Sequence, residues 1–131
     1  MKPIFKALRP LFEKHRDVGL VYLFGSHARG DAGRLSDVDI AVYFHQKDPV
    51  KRHDQLFQIA GDLSQSLKTD NVDIVSLNDL ESPLLKFRII KEGKILFERE
   101  PFRILVEPKI MNDYFDFSAG LRRFGLSGAV A

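Results

Sequence analysis

Two aspartates two residues apart, Asp37 and Asp39, follow the pair Gly25-Ser26 after a ten-residue gap. Apolar, strand-like runs lie on both sides of this block. Alternate residues of a strand point to the same side, so the two carboxylates would stand about 6.5–7 Å apart and form a seat for divalent metal. A Gly-Ser turn can offer backbone N–H groups to phosphate. A metal site next to a phosphate-binding turn is typical of enzymes that transfer phosphoryl or nucleotidyl groups.

A third carboxylate, Asp73, stands in the apolar sequence 71–75. A charge in a strand core is costly unless it is paired or binds a metal. The strand–helix–strand path from Asp39 to Asp73 gives the third carboxylate a route to a neighbouring strand. Asp70, at a predicted helix end, is the weaker candidate. The alternatives are an edge-strand residue facing water for Asp73, and ordinary turn and strand-start residues for Asp37 and Asp39.

The residues between the pair and the aspartates are candidates for holding phosphate. The glycine of the pair lacks Cβ and allows close backbone approach, and the serine can donate a hydroxyl hydrogen bond. Arg29 and Arg34 are candidate counter-charges for a triphosphate. A surface salt bridge is the competing interpretation for either arginine. Ser36 binds phosphate or caps local backbone, and His27 is left out of the site as a surface residue.

Composition restricts the class of protein. The 131 residues are 44% apolar and 29% charged, which predicts one packed domain spanning residues 1–131. A net charge of +2 is too small to indicate a nucleic-acid partner. The lack of cysteine excludes disulfides, zinc-thiolate sites and a cysteine nucleophile. We expect a soluble cytoplasmic protein with no membrane partner, because no apolar run resembles a signal peptide or a membrane span.

Hydrophobic periodicity predicts helices and strands in alternation. Predicted helices cover residues 3–16 (with a possible kink or break at Pro10), 48–68 and 84–91, and predicted strands cover 19–24, 37–44, 71–77 and 94–97. This order indicates an α/β (α+β) fold, a small mixed β-sheet with helices packed on it.

In the C-terminal region, five apolar residues fall on one helical face: Ile110, Tyr114, Phe117, Leu121 and Phe124. Such a stripe is typical of helix-to-core packing, and any exposed part of it would mark a binding patch.

The block of residues 25–39, with Asp73 downstream, resembles the polymerase-β-like nucleotidyltransferase superfamily. The short chain and the sequence of residues 25–30, Gly-Ser-His-Ala-Arg-Gly, resemble those of the minimal nucleotidyltransferase branch of this superfamily. Members of that branch are commonly the antitoxins, of the MntA type, in HEPN/MNT toxin–antitoxin pairs. The resemblance covers residues 18–76 well and implies the polymerase-β-like nucleotidyltransferase fold.

The resemblance also implies an activity. ATP would be the substrate and Mg²⁺, as two ions, the cofactor, with Asp37, Asp39 and Asp73 as metal-binding catalytic residues. The acceptor would be a tyrosine hydroxyl of a cognate HEPN RNase toxin, which the transferred AMP inactivates. We expect Gly25, Ser26, Arg29 and Ser36 to bind the nucleotide.

Two other functions compete with this one. Transfer to a small-molecule hydroxyl ranks lower, because such enzymes generally need a further domain to hold the acceptor, and nucleic-acid tailing ranks lower still. The non-enzymatic alternative is an antitoxin that neutralises its partner by binding alone.

Overall fold

A mixed β-sheet forms the centre of the molecule. The computed structural model describes residues 2–33 and 36–125. The strands of the sheet are β1 (Val18–Phe24), β2 (Val38–Phe44), β3 (Val72–Ser76) and β4 (Lys94–Glu98). They lie in the order β3–β2–β1–β4, with β1 antiparallel to both neighbours and β2 parallel to β3. The predicted fold class is therefore confirmed.

Helices pack on both faces of this sheet. They are α1 (Pro3–Lys6), α2 (Arg9–Glu13), α3 (Ser26–Arg29), α4 (Pro49–Leu67), α5 (Pro83–Glu92) and α6 (Phe102–Arg123). Helices α1, α2 and α4 cover the face that carries Ile40 and Val42, while α5 and α6 cover the face that carries Tyr22 and Ala41. Both faces of β1 are thus buried, as its continuous apolar sequence predicts. None of the helices in residues 2–33 and 36–125 has the length and hydropathy that a membrane span needs.

The N-terminal helix is broken where one continuous helix over residues 3–16 was the main expectation. Helix α1 ends at Lys6 and α2 begins at Arg9. Pro10 explains the break, because a proline ring clashes with the carbonyl four residues earlier, here that of Lys6, and offers no N–H to it. The two short helices still bury Phe5 and Phe12 against the sheet.

Helix α6 is the longest helix in the described part of the chain. Its 22 residues span about 33 Å at 1.5 Å per residue. Val106 and Ile110 are buried, whereas Phe117 is 39% exposed and Phe124 is 82% exposed. The predicted apolar stripe is therefore only partly core packing, because Ile110 is buried and Tyr114 and Leu121 are half-buried, whereas Phe117 and Phe124 are exposed.

Arg52 ties the loop after β2 to the turn after β3. Its guanidinium is almost fully buried and donates to both carboxylate oxygens of Asp79, at 2.7 and 3.1 Å. It also donates to the carbonyls of Gln46 and Lys47, each at 3.0 Å. This pairing holds the pKa of Asp79 below its ordinary value. Both segments follow strands that carry candidate site residues, so Arg52 fixes the relative position of β2 and β3.

We expect Arg52→Ala to lower the free energy of unfolding by about 2 kcal/mol, because it removes the two-point ion pair with Asp79 and the charged donor to two loop carbonyls. Urea denaturation measures this. The control is Arg9→Ala, which removes an exposed ion pair with Glu13 (3.2 Å) and should cost less than about 0.5 kcal/mol. Equal losses in the two variants would contradict a structural role for the Arg52 pairing.

Candidate active site

Asp39 and Asp73 lie side by side at one end of the sheet. Their Cα atoms are direct partners in the parallel ladder between β2 and β3. Paired residues of neighbouring strands carry their side chains on the same face, with the strands about 4.8 Å apart. The sequence predicted a route from Asp39 to a neighbouring strand, and the register makes the two residues immediate neighbours. Asp39 is half-buried and Asp73 is exposed.

Strand β2 begins at Val38, one residue later than predicted, so Asp37 lies just before the strand. The side chain of Asp37 is exposed. Its charge nevertheless reaches Asp39. The three predicted carboxylates therefore gather at the same end of the sheet, whereas Asp70 lies in the exposed segment before β3.

The pKa of Asp39 is raised above its ordinary value. Burial is the main cause, followed by the negative charges of Asp73 and Asp37. His27 and Arg29 act in the opposite direction. The ionised form of Asp39 is thus destabilised in the free protein, and a bound cation would relieve that cost.

Gly25 packs directly against the carboxylate of Asp39. Its φ of +71° lies in a region that L side chains rarely adopt. A Cβ at this position would overlap Oδ2 of Asp39. The lack of a Cβ at Gly25 was predicted to let phosphate approach the backbone. In the structure it is the carboxylate of Asp39 that lies close to Gly25.

Helix α3 follows Gly25 directly. The carbonyl of Gly25 accepts from Ala28 and Arg29, each at 3.1 Å, and the turn ends at Gly30 with φ of +83°. The backbone N–H groups of Ser26 and His27 stand in the first turn, where a short helix has no internal acceptors. Binding of phosphate by the N–H groups that follow Gly25 stays a prediction.

Ser36 and Arg29 make local contacts. The hydroxyl of Ser36 accepts from the N–H of Gly33 at 2.9 Å, which is the backbone-capping alternative considered for it. Arg29 donates to Asp31 at 3.2 Å, with both side chains about half exposed. Their binding of nucleotide stays a prediction, and Arg34 lies outside the described residues.

His27, which the sequence analysis left out, organises the loop before β2. It is half-buried, and its Nε2 lies 3.3 Å from the carbonyl of Ser36, an acceptor to which it must donate. Its ring packs edge-on against Phe5 at 5.7 Å between centroids. A histidine inside a glycine-rich block carries no sequence signal for this role.

A basic cleft of about 370 Å³ lies next to α3. Four cationic or titratable side chains line it: Lys2, His27, Arg29 and Lys94. Lys94 begins β4 and pairs with Leu23, two residues before Gly25, so it lies at the same end of the sheet as the carboxylates. The sequence analysis did not identify Lys2 or Lys94 as cleft residues. Lys94 reaches the cleft because β4 pairs with β1, and the sequence does not show that pairing.

The donor set suits Mg²⁺. Carboxylate oxygens are the ligands that this ion prefers, and it takes its remaining ligands from water and substrate phosphates rather than from a complete protein cage. In residues 2–33 and 36–125, no three His, Asp or Glu side chains form a ready cluster, and no described side chain pairs with Asp37, Asp39 or Asp73. Carboxylates drawn from Asp37, Asp39 and Asp73, completed by a bound nucleotide, would meet the requirement.

Comparison with known proteins decides the family. The family described as "Polymerase beta, Nucleotidyltransferase" matches residues 6–102, which contain every predicted site residue and all of β1–β4. The chain belongs to the polymerase beta nucleotidyltransferase family. The resemblance inferred from residues 25–39 is thereby confirmed for this nucleotidyltransferase domain.

One curated relative is the protein adenylyltransferase MntA of Shewanella oneidensis, which is 35% identical over 95 residues. The match covers 72% of this chain and 62% of MntA, so the chain spans less than two thirds of the relative's length.

Solved structures share the nucleotidyltransferase fold over the whole chain. A crystal structure of a toxin–antitoxin with AMP-PNP matches with a TM-score of 0.74 and 26% identity, covering 99% of this chain and 100% of that chain. A structure of a tri-AMPylated HEPN toxin in complex with an MNT antitoxin, from Shewanella oneidensis, matches with a TM-score of 0.69 and covers 100% of both chains. At 22% identity the second match shows the fold alone.

Proposed function

We propose that this chain is a Mg²⁺-dependent protein adenylyltransferase and acts as an antitoxin. It transfers AMP from ATP to a tyrosine hydroxyl of a cognate HEPN RNase toxin and so inactivates the toxin. The observation that carries the proposal is the pairing of Asp39 with Asp73 beside the tight Gly25 turn, within a nucleotidyltransferase domain. The 35% identity to a protein adenylyltransferase supports a protein acceptor.

In this proposal Asp37, Asp39 and Asp73 hold the metal. When bound, Mg²⁺ supplies charge neutralisation for the triphosphate and activation of the attacking oxygen. Asp39 is fixed by burial and by Gly25, so it provides a rigid ligand. Asp73 is exposed on an outer strand, on the side from which an acceptor would arrive.

The triphosphate would lie over the first turn of α3 and the basic cleft. The N–H groups after Gly25, the Ser26 hydroxyl and Lys94 would bind its oxygens, with Arg29 and Ser36 at the rim. The acceptor oxygen bonds to the α-phosphorus, the bond from that phosphorus to the bridging oxygen breaks, and diphosphate leaves. The hydroxyl proton passes to an exposed carboxylate, for which Asp73 is the candidate.

The test is incubation of the purified chain with ATP, Mg²⁺ and the HEPN-domain protein encoded beside it. Intact mass should show added AMP on the partner, peptide mapping should locate it on a tyrosine, and RNase activity should fall in parallel. A partner of unchanged mass, alongside an active control transferase, would refute transfer to this protein.

Neutralisation by binding alone is the second candidate, and the exposed side chains of Phe117 in α6 and of Phe124 just after it favour this candidate. The variant Asp37→Ala with Asp39→Ala discriminates the two. If it protects cells from the toxin as well as wild type does, binding rather than chemistry is the function. The cytoplasmic location and the single domain of residues 1–131 stay predictions.

We expect Lys94→Ala to raise the KM for ATP about tenfold with a smaller effect on kcat, because it removes one cation from the phosphate cleft. Initial rates of diphosphate release over a range of ATP concentrations measure this. Lys51→Ala, an exposed substitution on α4, is the control and should leave KM unchanged. Identical KM values for wild type and Lys94→Ala would remove the basic cleft from the nucleotide site.

A further inference from the structure

The outer edge of β3 presents unpaired backbone groups. Strand β3 is the last in the sheet order, and within the described part of the chain no strand lies beyond it. Just after the strand, Leu77 donates its N–H to the carbonyl of Val42 in β2 at 2.8 Å. Backbone groups alternate sides along a strand, so the N–H and C=O of Val72 and Ile74 point away from β2.

This edge is more regular than the edge on the opposite side of the sheet. The pairing of β4 with β1 contains a register shift, and charged residues, Lys94 and Glu98, stand at both ends of β4. The pairing of β3 with β2 runs without a shift from Val72 to Ser76. A bulge discourages the addition of another strand and a regular edge favours it. The charged residue within β3, Asp73, belongs to the candidate active site.

A groove follows the same edge. It measures about 350 Å³ and is lined by β3, by the first turns of α4 and by Leu80. Ile74 and Val75 both line it although they point to opposite faces of the sheet, so the groove wraps around the strand edge. Phe57, which is 69% exposed, packs edge-on against His53 of the groove lining with 5.1 Å between ring centroids, so it adds apolar surface beside the groove. Such a groove suits the alternating side chains of an extended peptide.

The edge is continuous with the candidate active site, because Asp73 lies on β3 between Val72 and Ile74. We propose that an extended segment of the protein acceptor adds to the outer edge of β3 and thereby places its hydroxyl beside Asp73. A strand added there would lie about 4.8 Å from β3. The inference rests on the proposed protein acceptor, and it assigns the acceptor-binding surface of the same site.

Residue-resolved amide hydrogen exchange tests the proposal on the wild-type chain, alone and mixed with the HEPN-domain protein. The amides of Val72 and Ile74 should exchange rapidly in the free chain and at least about tenfold more slowly in the complex. The amides of Asp73 and Val75 face β2 and should be protected in both samples. Unchanged exchange at Val72 and Ile74 in a formed complex would overturn the inference.

Intact mass of the same samples, with ATP and Mg²⁺ added, separates this inference from the proposed function. AMP transfer without edge protection refutes strand addition and leaves the function standing. Edge protection without transfer supports strand addition and refutes the function. Protection in the free chain that rises with its concentration would mean that a second copy covers the edge, which also overturns the inference.

A proline variant gives an independent readout. Ile74→Pro removes an outward N–H without removing a hydrogen bond to β2, and proline is tolerated at such edge positions. Transfer to the partner should fall about tenfold, with ATP affinity unchanged. The control is Glu98→Pro on β4, whose N–H also points outward because Arg99 donates to Gly19 at 2.8 Å. Equal transfer by both variants would contradict the proposal, and if Ile74→Pro fails to fold, the exchange experiment decides.

Discussion

Replacing Asp39 by asparagine should reduce AMP transfer by at least about 10³-fold, because it removes the buried member of the metal-binding carboxylates. The same substitution should make the free protein more stable. Asp39 has a raised pKa, from burial and from the charges of Asp73 and Asp37, so its ionised form opposes folding at neutral pH. Asparagine keeps the shape without the charge. We expect its thermal midpoint to rise by about 3 °C at pH 7.

The stability gain should depend on pH in a defined direction. A carboxyl whose pKa is raised in the folded state favours folding below its unfolded pKa, and that contribution is lost as the pH rises through the folded pKa. The advantage of Asp39→Asn should therefore disappear as the pH falls and wild-type Asp39 becomes neutral. Thermal melts across the acidic range measure it. Asp70→Asn, an exposed neighbour of β3, should change neither activity nor stability. An Asp39→Asn variant that is less stable than wild type and still transfers AMP would contradict the assignment of Asp39 as a metal-binding residue.

The second large effect is expected for Gly25→Ala. The added Cβ would meet Oδ2 of Asp39 at a backbone φ of +71°, so either the turn or the carboxylate must move. We expect a loss of about 3 kcal/mol in the free energy of unfolding. Transfer should fall by at least about 10²-fold even at temperatures where the variant is folded, because a displacement of about 1 Å has that cost.

Gly30→Ala is the matched control for Gly25→Ala. Gly30 also has a positive φ, +83°, but a Cβ there meets nothing within 4 Å. Gly30→Ala should lower the free energy of unfolding by about 1 kcal/mol, because alanine must adopt a positive φ, and it should retain most of the transfer activity. Urea denaturation and initial transfer rates measure both variants. If the two alanines behave alike, the contact of Gly25 with Asp39 has no special role.

Much of this site could be predicted because its residues are close in sequence or follow strand periodicity. Strand alternation alone places Ala41 on one face of β2 and Ile40 and Val42 on the other, and the two hydrophobic clusters follow the same division. The helix between β2 and β3 indicated a route from Asp39 to a neighbouring strand, which brought Asp73 into the candidate set, and the structure shows that the two strands are parallel.

The missed features depend on contacts between distant segments. Lys94 reaches the phosphate cleft only because β4 pairs with β1, and a lone lysine at a strand start carries no signal of that pairing. Phe117 is exposed although the next residue, Ser118, is buried, so the buried face of α6 departs from the predicted stripe. Helical periodicity identifies a face of a helix and does not report which of its residues find a partner.

The most direct test of the central claim follows the phosphorus atoms of ATP. The chain and the HEPN-domain protein are incubated with Mg²⁺ and ATP labelled at either the α- or the γ-phosphorus. Nucleotidyl transfer predicts that label from the α position remains on the partner protein, while label from the γ position leaves as diphosphate. The account would be contradicted if the partner protein retained label from the γ position, or if it retained no label from either position.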